Sequence, residues 1–151
     1  TNGRTGQTSL PASHLIRVAC QVACDKKDFL PIYGNDYNTP DGTCIRDYIH
    51  VVDLIDAHIK AIHYLNDGGE SGTFNCGYGQ GFSVIDVINS VKKVSGKNFK
   101  IKIESRREGD PEKLIANNNK ITSELNWKPK YNDLNKIVND AFRWEAKLID
   151  S

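Results

Sequence analysis

The sequence predicts an α/β fold, and three observations carry that prediction. Stretches with apolar residues at three- and four-residue spacing alternate with short runs rich in Ile, Phe and Tyr. Several helical stretches open on a capping residue. Clusters of Gly, Asn, Asp and Pro separate the elements.

Taken in order, residues 1–12 are rich in Gly, Thr and Pro and read as a loop or frayed tail, with residues 13–151 as one domain. From Ser13, the spacing of Leu15, Ile16, Ala19, Val22 and Ala23 predicts a helix ending near Asp25–Lys27. Phe29 to Tyr33 is a short apolar run stopped by Gly34, a strand. Asn35 to Gly42 reads as an exposed turn region. Cys44 to Val52 is expected to extend as a strand. Asp53 then looks like an N-cap, with Asp56 at the third helical position and Leu54, Ile55, Ile59, Ile62 and Leu65 on one face. Asp67-Gly68-Gly69 ends that helix.

Thr73 to Cys76 reads as a short strand followed by a glycine-rich loop, Gly77 to Gly81. Ser83 caps the next helix and Asp86 completes a capping box. Val84, Val87, Ile88, Val91 and Val94 form its apolar stripe, and Gly96 stops it. Phe99, Ile101 and Ile103 alternate with lysines, which predicts a half-buried strand. Asn119 to Leu125 is a short helix. Asp133 caps the last one, with Leu134, Ile137, Val138, Ala141, Trp144 and Leu148 inward.

Composition narrows the function classes. The chain has 151 residues, 38% hydrophobic and 26% charged, which suits one globular domain and excludes fibrous and disordered classes. No apolar run is long enough to span a membrane. Lys and Arg total 20 against 19 Asp and Glu, so no nucleic-acid or membrane-surface partner is expected. Cysteines 20, 24, 44 and 76 form no CxxC pair and suit reduced thiols in a cytoplasmic protein. The polar stretch Thr1–Ser13 has no secretory h-region. The chain lacks methionine and opens in what reads as a loop, so a piece of a longer chain is expected.

Several polar clusters could carry chemistry. Arg106-Arg107-Glu108-Gly109-Asp110-Pro111 follows a predicted strand, at the sheet edge where α/β proteins bind ligands. It reads either as a solvated charge run or as an anion grip, since the guanidinium fork matches phosphate oxygens. Arg46, among apolar neighbours, either pairs with Asp47 or a remote acid or meets an anion. His50 reads as hydrogen-bonded and structural rather than as a base, and His58 as the edge of the core. The glycine loop resembles a dinucleotide turn, but the G-x-G-x-x-G pattern fails at Phe82. A tight turn is the simpler reading. Cys20 and Cys24, one helical turn apart, read as core. No residue set suggests a metal. None of the 6 tyrosines has a lysine four residues on, so no Tyr-x-x-x-Lys pair is present.

Together these stretches resemble the UDP-glucose 4-epimerase family. The resemblance rests on Leu30-Pro31-Ile32-Tyr33-Gly34-Asn35-Asp36-Tyr37 and on Asp41-Gly42-Thr43 followed by Arg46-Asp47-Tyr48-Ile49-His50-Val51. Phe74-Asn75-Cys76-Gly77, Arg106-Arg107-Glu108-Gly109-Asp110 and Leu125-Asn126-Trp127 also carry it. It runs from about Gly3 to Leu148, and it covers only the C-terminal half of such an enzyme. It implies an extended short-chain dehydrogenase fold: the substrate-binding portion with the last strand and helices of the Rossmann domain, without that domain's N-terminal half.

By the same resemblance, Arg46 and Arg107 bind the UDP phosphates, and Asp110 accepts ribose hydroxyls. Pro31, Ile32 and Tyr33 line the uracil slot, and His14 and Leu15 touch the UDP moiety. Leu114 lies near the sugar and leaves acceptance of N-acetylated sugars open. NAD and the catalytic Tyr and Lys belong to the half outside this chain. The implied reaction interconverts UDP-galactose and UDP-glucose through a 4-keto intermediate, in a homodimeric parent, and this chain alone is expected to be inactive. The alternatives are a non-catalytic nucleotide-sugar-binding or interaction module, or part of a sibling decarboxylase or dehydratase.

Overall fold

The computed structural model describes residues 5–8 and 11–148. The elements run α1 (Leu15–Ala23), β1 (Leu30–Tyr33), β2 (Ile45–Arg46), α2 (Val51–Asn66), β3 (Phe82–Ser83), α3 (Val84–Ser95), β4 (Ile101–Glu104), β5 (Lys113–Leu114), α4 (Asn119–Glu124) and α5 (Leu134–Lys147). β1 pairs in parallel with β4, Leu30 opposite Ile101. β2 lies between β3, antiparallel, and β5, parallel, so that Arg46 stands opposite both Phe82 and Leu114. The mixed α/β class is as the sequence predicts.

Two apolar clusters form the interior. The first gathers α1, β1, α3 and part of α5 around Ala19, Cys20, Leu30, Ile32, Val87, Val91 and Val138. The second lies under α2, where Ala57, Tyr78, Ile121, Leu125, Trp127 and Ile137 meet. α5 joins them by sending Val138 to one and Ile137 to the other. α1 is buried on several sides, so even Arg17 is inside. Its Nε donates to Glu145 Oε1 at 2.8 Å, and Lys26 reaches the same carboxylate at 3.4 Å. Glu145, 2% exposed, is thus a buried acid with two cationic partners.

The local signals around α3 and α5 hold. Ser83 Oγ accepts from the Asp86 N–H while the Asp86 carboxylate accepts from the Ser83 N–H, and Gly96 ends α3 at φ +66°. Asp133 accepts from the N–H groups of Asn135 and Lys136. Ser83 Oγ also donates to Asp41 Oδ2 at 2.5 Å, and Asp41 accepts from the Thr43 N–H and hydroxyl. Partial burial pushes the Asp41 carboxyl up, but those hydrogen bonds outweigh it and hold it below its ordinary value. Ser83→Ala removes the cap and the link to Asp41 together. It should lower unfolding free energy by about 1–2 kcal/mol, read from urea denaturation.

Several expectations are corrected. The strand expected over Cys44–Val52 shrinks to Ile45–Arg46, because the chain turns at residues 47–50 to start α2. The cap of α2 is His50, whose Nδ1 accepts from the Val52 N–H, and Asp53 lies one turn inside with its carboxylate buried. Thr73–Cys76 forms no strand; Phe74 and Cys76 pack under α2 instead, and the short strands β3 and β5 stand elsewhere. Ile101 and Ile103 are nearly half exposed, because β4 has β1 on one side and no described strand on the other.

α2 carries the largest departure. It buries Asp53 and Ala57, while Val51, Ile55, Ile59, Ile62 and Leu65 face outward. His58 is exposed rather than at the core edge, with its ring Nδ1 2.7 Å from the Leu54 carbonyl oxygen. The expected tail over 1–12 falls partly outside the described residues. Within them, Gly6 lies against the Trp144 ring, and the Gln7 carbonyl accepts from Trp144 Nε1 at 3.1 Å. Cys20 is buried and Cys24 half-buried; all four cysteines are free. Burial pushes the Cys20 thiol up to about 12. No described helix is long and apolar enough to cross a membrane.

Candidate functional site

A hollow of about 610 Å³ opens beside β1 and the start of α1. Its wall includes Leu15, Pro31, Ile32, Tyr33, Arg46, Arg107 and Asp110, so seven of the residues singled out in the sequence share one surface. His14 and Leu114 do not line it. His14 is the N-cap residue of α1, next to the lining residues Ser13 and Leu15. Leu114 is 60% exposed on β5, opposite Arg46 in the ladder.

The backbone explains this convergence. Along β1 and just past it, the N–H groups of Leu30 and Gly34 donate to the carbonyls of Lys100 and Glu104 of the β4 segment, each at 2.9 Å. The alternate positions, Pro31 and Tyr33, therefore turn their backbone polar groups away from β4. Proline has no N–H, so this edge presents the Pro31 carbonyl as an acceptor and the Tyr33 N–H as a donor. The opposite wall comes from β2 and from the loop after β4. The Ile45 N–H donates to the Glu112 carbonyl at 2.8 Å, tying β2 to the segment that follows Asp110.

That tie sets Asp110 between two guanidinium groups. Arg107 Nε donates to Asp110 Oδ2 at 3.1 Å, and Arg46 Nη2 lies 3.5 Å from Asp110 Oδ1. Arg46 Nη1 also donates to its neighbour's carbonyl, Ile45 O, at 2.9 Å. The Arg107 guanidinium stacks 4.4 Å above the Tyr33 ring. The acid that Arg46 meets is thus the remote Asp110. Asp47 is occupied elsewhere: its carboxylate accepts from the N–H groups of Tyr78, Gly79 and Ala116 at 3.0, 2.9 and 3.3 Å.

The same bonds decide the glycine-rich loop. Two of its N–H groups, those of Tyr78 and Gly79, serve Asp47 rather than a phosphate. A Cβ at Gly77 would stand 2.6 Å from Asp47 Oδ2, so glycine is required there by close approach. The described residues of this loop do not fit a dinucleotide. His50 is structural: with Nδ1 accepting from Val52, its Nε2 donates to Asp140 Oδ2 at 3.1 Å, and its ring stacks on Tyr131 at 4.6 Å.

Sequence reasoning missed Lys27, Phe29, Cys44, Tyr48 and Val84, which also line the hollow. Lys27 and Phe29 stand just before β1, so their place at a strand entrance was the available signal. Burial pushes the Tyr48 phenol up to about 12, which keeps it neutral in the wall.

Comparison with known proteins agrees with this architecture. The family model described as GDP-mannose 4,6 dehydratase matches residues 1–140. The chain is similar to a UDP-glucose 4-epimerase of Azospirillum brasilense, 49% identical over 149 residues, covering 99% of this chain and 43% of that protein. A crystal structure of a UDP-glucose 4-epimerase superposes with a TM-score of 0.94 at 41% identity, over 99% of this chain and 46% of the other. The UDP-glucose 4-epimerase of Bifidobacterium longum, solved in complex with NAD+ and UDP, gives 0.87 at 34% identity, over 96% and 43%. The chain therefore spans less than half the length of these relatives, matching their C-terminal part.

Proposed function

From the premise that this chain belongs to the family of the GDP-mannose 4,6 dehydratase model, and within it matches the C-terminal part of UDP-glucose 4-epimerases, we propose that it is the nucleotide-sugar-binding part of an NAD-dependent UDP-glucose 4-epimerase. Relatives crystallised with NAD support the cofactor, which this reading assigns to the N-terminal part of the enzyme. The parent enzyme interconverts UDP-glucose and UDP-galactose in the cytoplasm as a homodimer.

The observation that carries this reading is the pair of guanidinium groups, drawn from distant stretches of chain, that meet at Asp110 beside the open edge of β1. A diphosphate buried in a pocket needs matched donors, and two arginines provide them. A uracil presents an N–H flanked by carbonyls, which complements the Pro31 carbonyl and the Tyr33 N–H. Asp110, left with a partly exposed carboxylate, serves the ribose hydroxyls. The nucleotide end of the substrate is held firmly while the sugar is free to turn, as epimerisation at C4 requires. Leu114, exposed beside Arg46, borders the sugar end and bears on N-acetylated substrates.

α2 adds support. A row of outward apolar side chains is costly to leave in water and suits a surface completed by more protein. The N-terminal part of the enzyme, which supplies the catalytic Tyr and Lys and the NAD site, is its occupant in this reading. This chain alone should therefore turn over no UDP-galactose. A coupled dehydrogenase assay checks this, and steady turnover that co-purifies with the chain would overturn it.

A further inference from the structure

The adjacent arginines 106 and 107 point in opposite directions. Arg107 faces the hollow. Arg106 turns to the loop that leads from β1 to β2, where its Nε donates to Asp36 Oδ1 at 2.7 Å and its Nη2 donates to the Asp36 carbonyl. Its guanidinium lies 4.0 Å above the ring of Tyr37, which is itself buried. Gly34 makes room for this arrangement. It sits at φ +87°, and a Cβ there would come within 2.7 Å of Arg106 Cγ and 2.6 Å of the Tyr37 ring.

One side chain thus makes an ion pair, a hydrogen bond to backbone and a ring stack on a single loop, although it is not part of the hollow's wall. The two loops it joins are those that end in the two site arginines. The 34–44 loop runs into Arg46 on β2, and Arg106 is bonded to Arg107. We propose that Arg106, with Asp36 and Tyr37, is a positioning brace that fixes the separation of Arg46 and Arg107, and thereby sets affinity for the diphosphate of a nucleotide ligand without touching it. This rests on the reading that Arg46 and Arg107 grip that diphosphate.

The exposure of the brace favours positioning over fold stability. The side chains of Arg106 and Asp36 are 45% and 71% exposed, and exposed ion pairs contribute little to folding. A small shift in loop spacing, by contrast, spoils two guanidinium–phosphate geometries at once, because such contacts depend steeply on alignment. The Arg106 contact also holds the Asp36 carboxyl below its ordinary value, as a formed pair should.

The test is NMR titration of this chain with UDP and, separately, with uridine. Arg106→Ala should weaken UDP binding by about tenfold while leaving uridine affinity and the melting temperature unchanged. Arg106→Lys, which keeps a cation over Tyr37 and one bond to Asp36, should recover most of the loss. Asp36→Ala should match Arg106→Ala, and the double variant should be no worse than either single one. Arg106→Ala binding UDP as tightly as the wild type, or losing UDP and uridine equally, overturns the brace. Arg107→Ala separates the two readings. If it binds UDP normally, the anion site is wrong and the brace falls with it; if it loses UDP while Arg106→Ala does not, only the brace fails.

Discussion

Changing Arg46 and Arg107 together to alanine should abolish UDP binding by this chain. The two guanidinium groups come from β2 and from the loop after β4, yet both lie against Asp110 on the wall of one hollow. A charge-assisted hydrogen bond contributes about 1.5–3 kcal/mol, so removing both cations from a diphosphate site removes about 3–6 kcal/mol. That corresponds to a loss of roughly a hundredfold to ten-thousandfold in affinity, against roughly ten- to a hundredfold for either single variant. The fold should survive, since Arg107 is mostly exposed and the polar partners of the part-exposed Arg46 side chain are its neighbour's carbonyl and the site residue Asp110. Titration calorimetry with UDP reads the effect, with circular dichroism to verify folding. Equal affinity in wild type and double variant would remove the anion site and the functional reading built on it.

Asp53→Ala should produce the largest loss of stability among the polar substitutions considered. Two readings of this residue predict different magnitudes. An N-cap, as its sequence position suggests, is worth about 1 kcal/mol. In the structure, however, Asp53 is 3% exposed. Its carboxylate accepts from Tyr78 Oη at 2.7 Å and from the N–H groups of Lys130 and Tyr131 at 3.0 and 2.8 Å. Its own carbonyl accepts from Trp127 Nε1 at 3.1 Å. Truncation leaves three donors without their acceptor around a fully packed tryptophan, and each buried orphan costs about 1–3 kcal/mol. Allowing for water reaching the partly buried backbone groups, the expected loss is about 3–5 kcal/mol, or a melting temperature lower by about 10 °C. A loss near 1 kcal/mol in chemical denaturation would return Asp53 to a capping role. UDP affinity of the folded molecules should be unchanged, because this network lies under α2 and the hollow lies against α1.

The outward row on α2 and the buried Asp53 share one cause. α2 is apolar on more than one side, and a periodicity argument assigns the interior to the side with the larger residues. Here the interior side holds Asp53 and Ala57, while Ile55, Ile59 and Ile62 face out. A helix pattern states which residues share a face. It does not state which face the rest of the chain covers, nor whether further protein covers the other.

By itself the sequence determined what depends on a few neighbouring residues. The α/β class was legible from the alternation of helical and strand-like spacing, and the Ser83–Asp86 capping box, the stop at Gly96 and the Asp133 cap because each is closed by contacts within one helical turn. The motif residues of the hollow were legible as types: guanidinium forks suited to an anion, and an apolar strand suited to a flat ring. Only the tertiary structure decided their partners. It sent Arg46 to Asp110 rather than to the adjacent Asp47, turned Arg106 and Arg107 apart, and gave the N–H groups of Tyr78 and Gly79 in the glycine-rich loop to Asp47. It also placed the two-residue strands β2, β3 and β5, whose intrinsic preference is too weak to read without their ladder. These outcomes rest on contacts between residues far apart in the chain. The energy of such a contact exists only once the intervening loops have closed, so nothing local announces it.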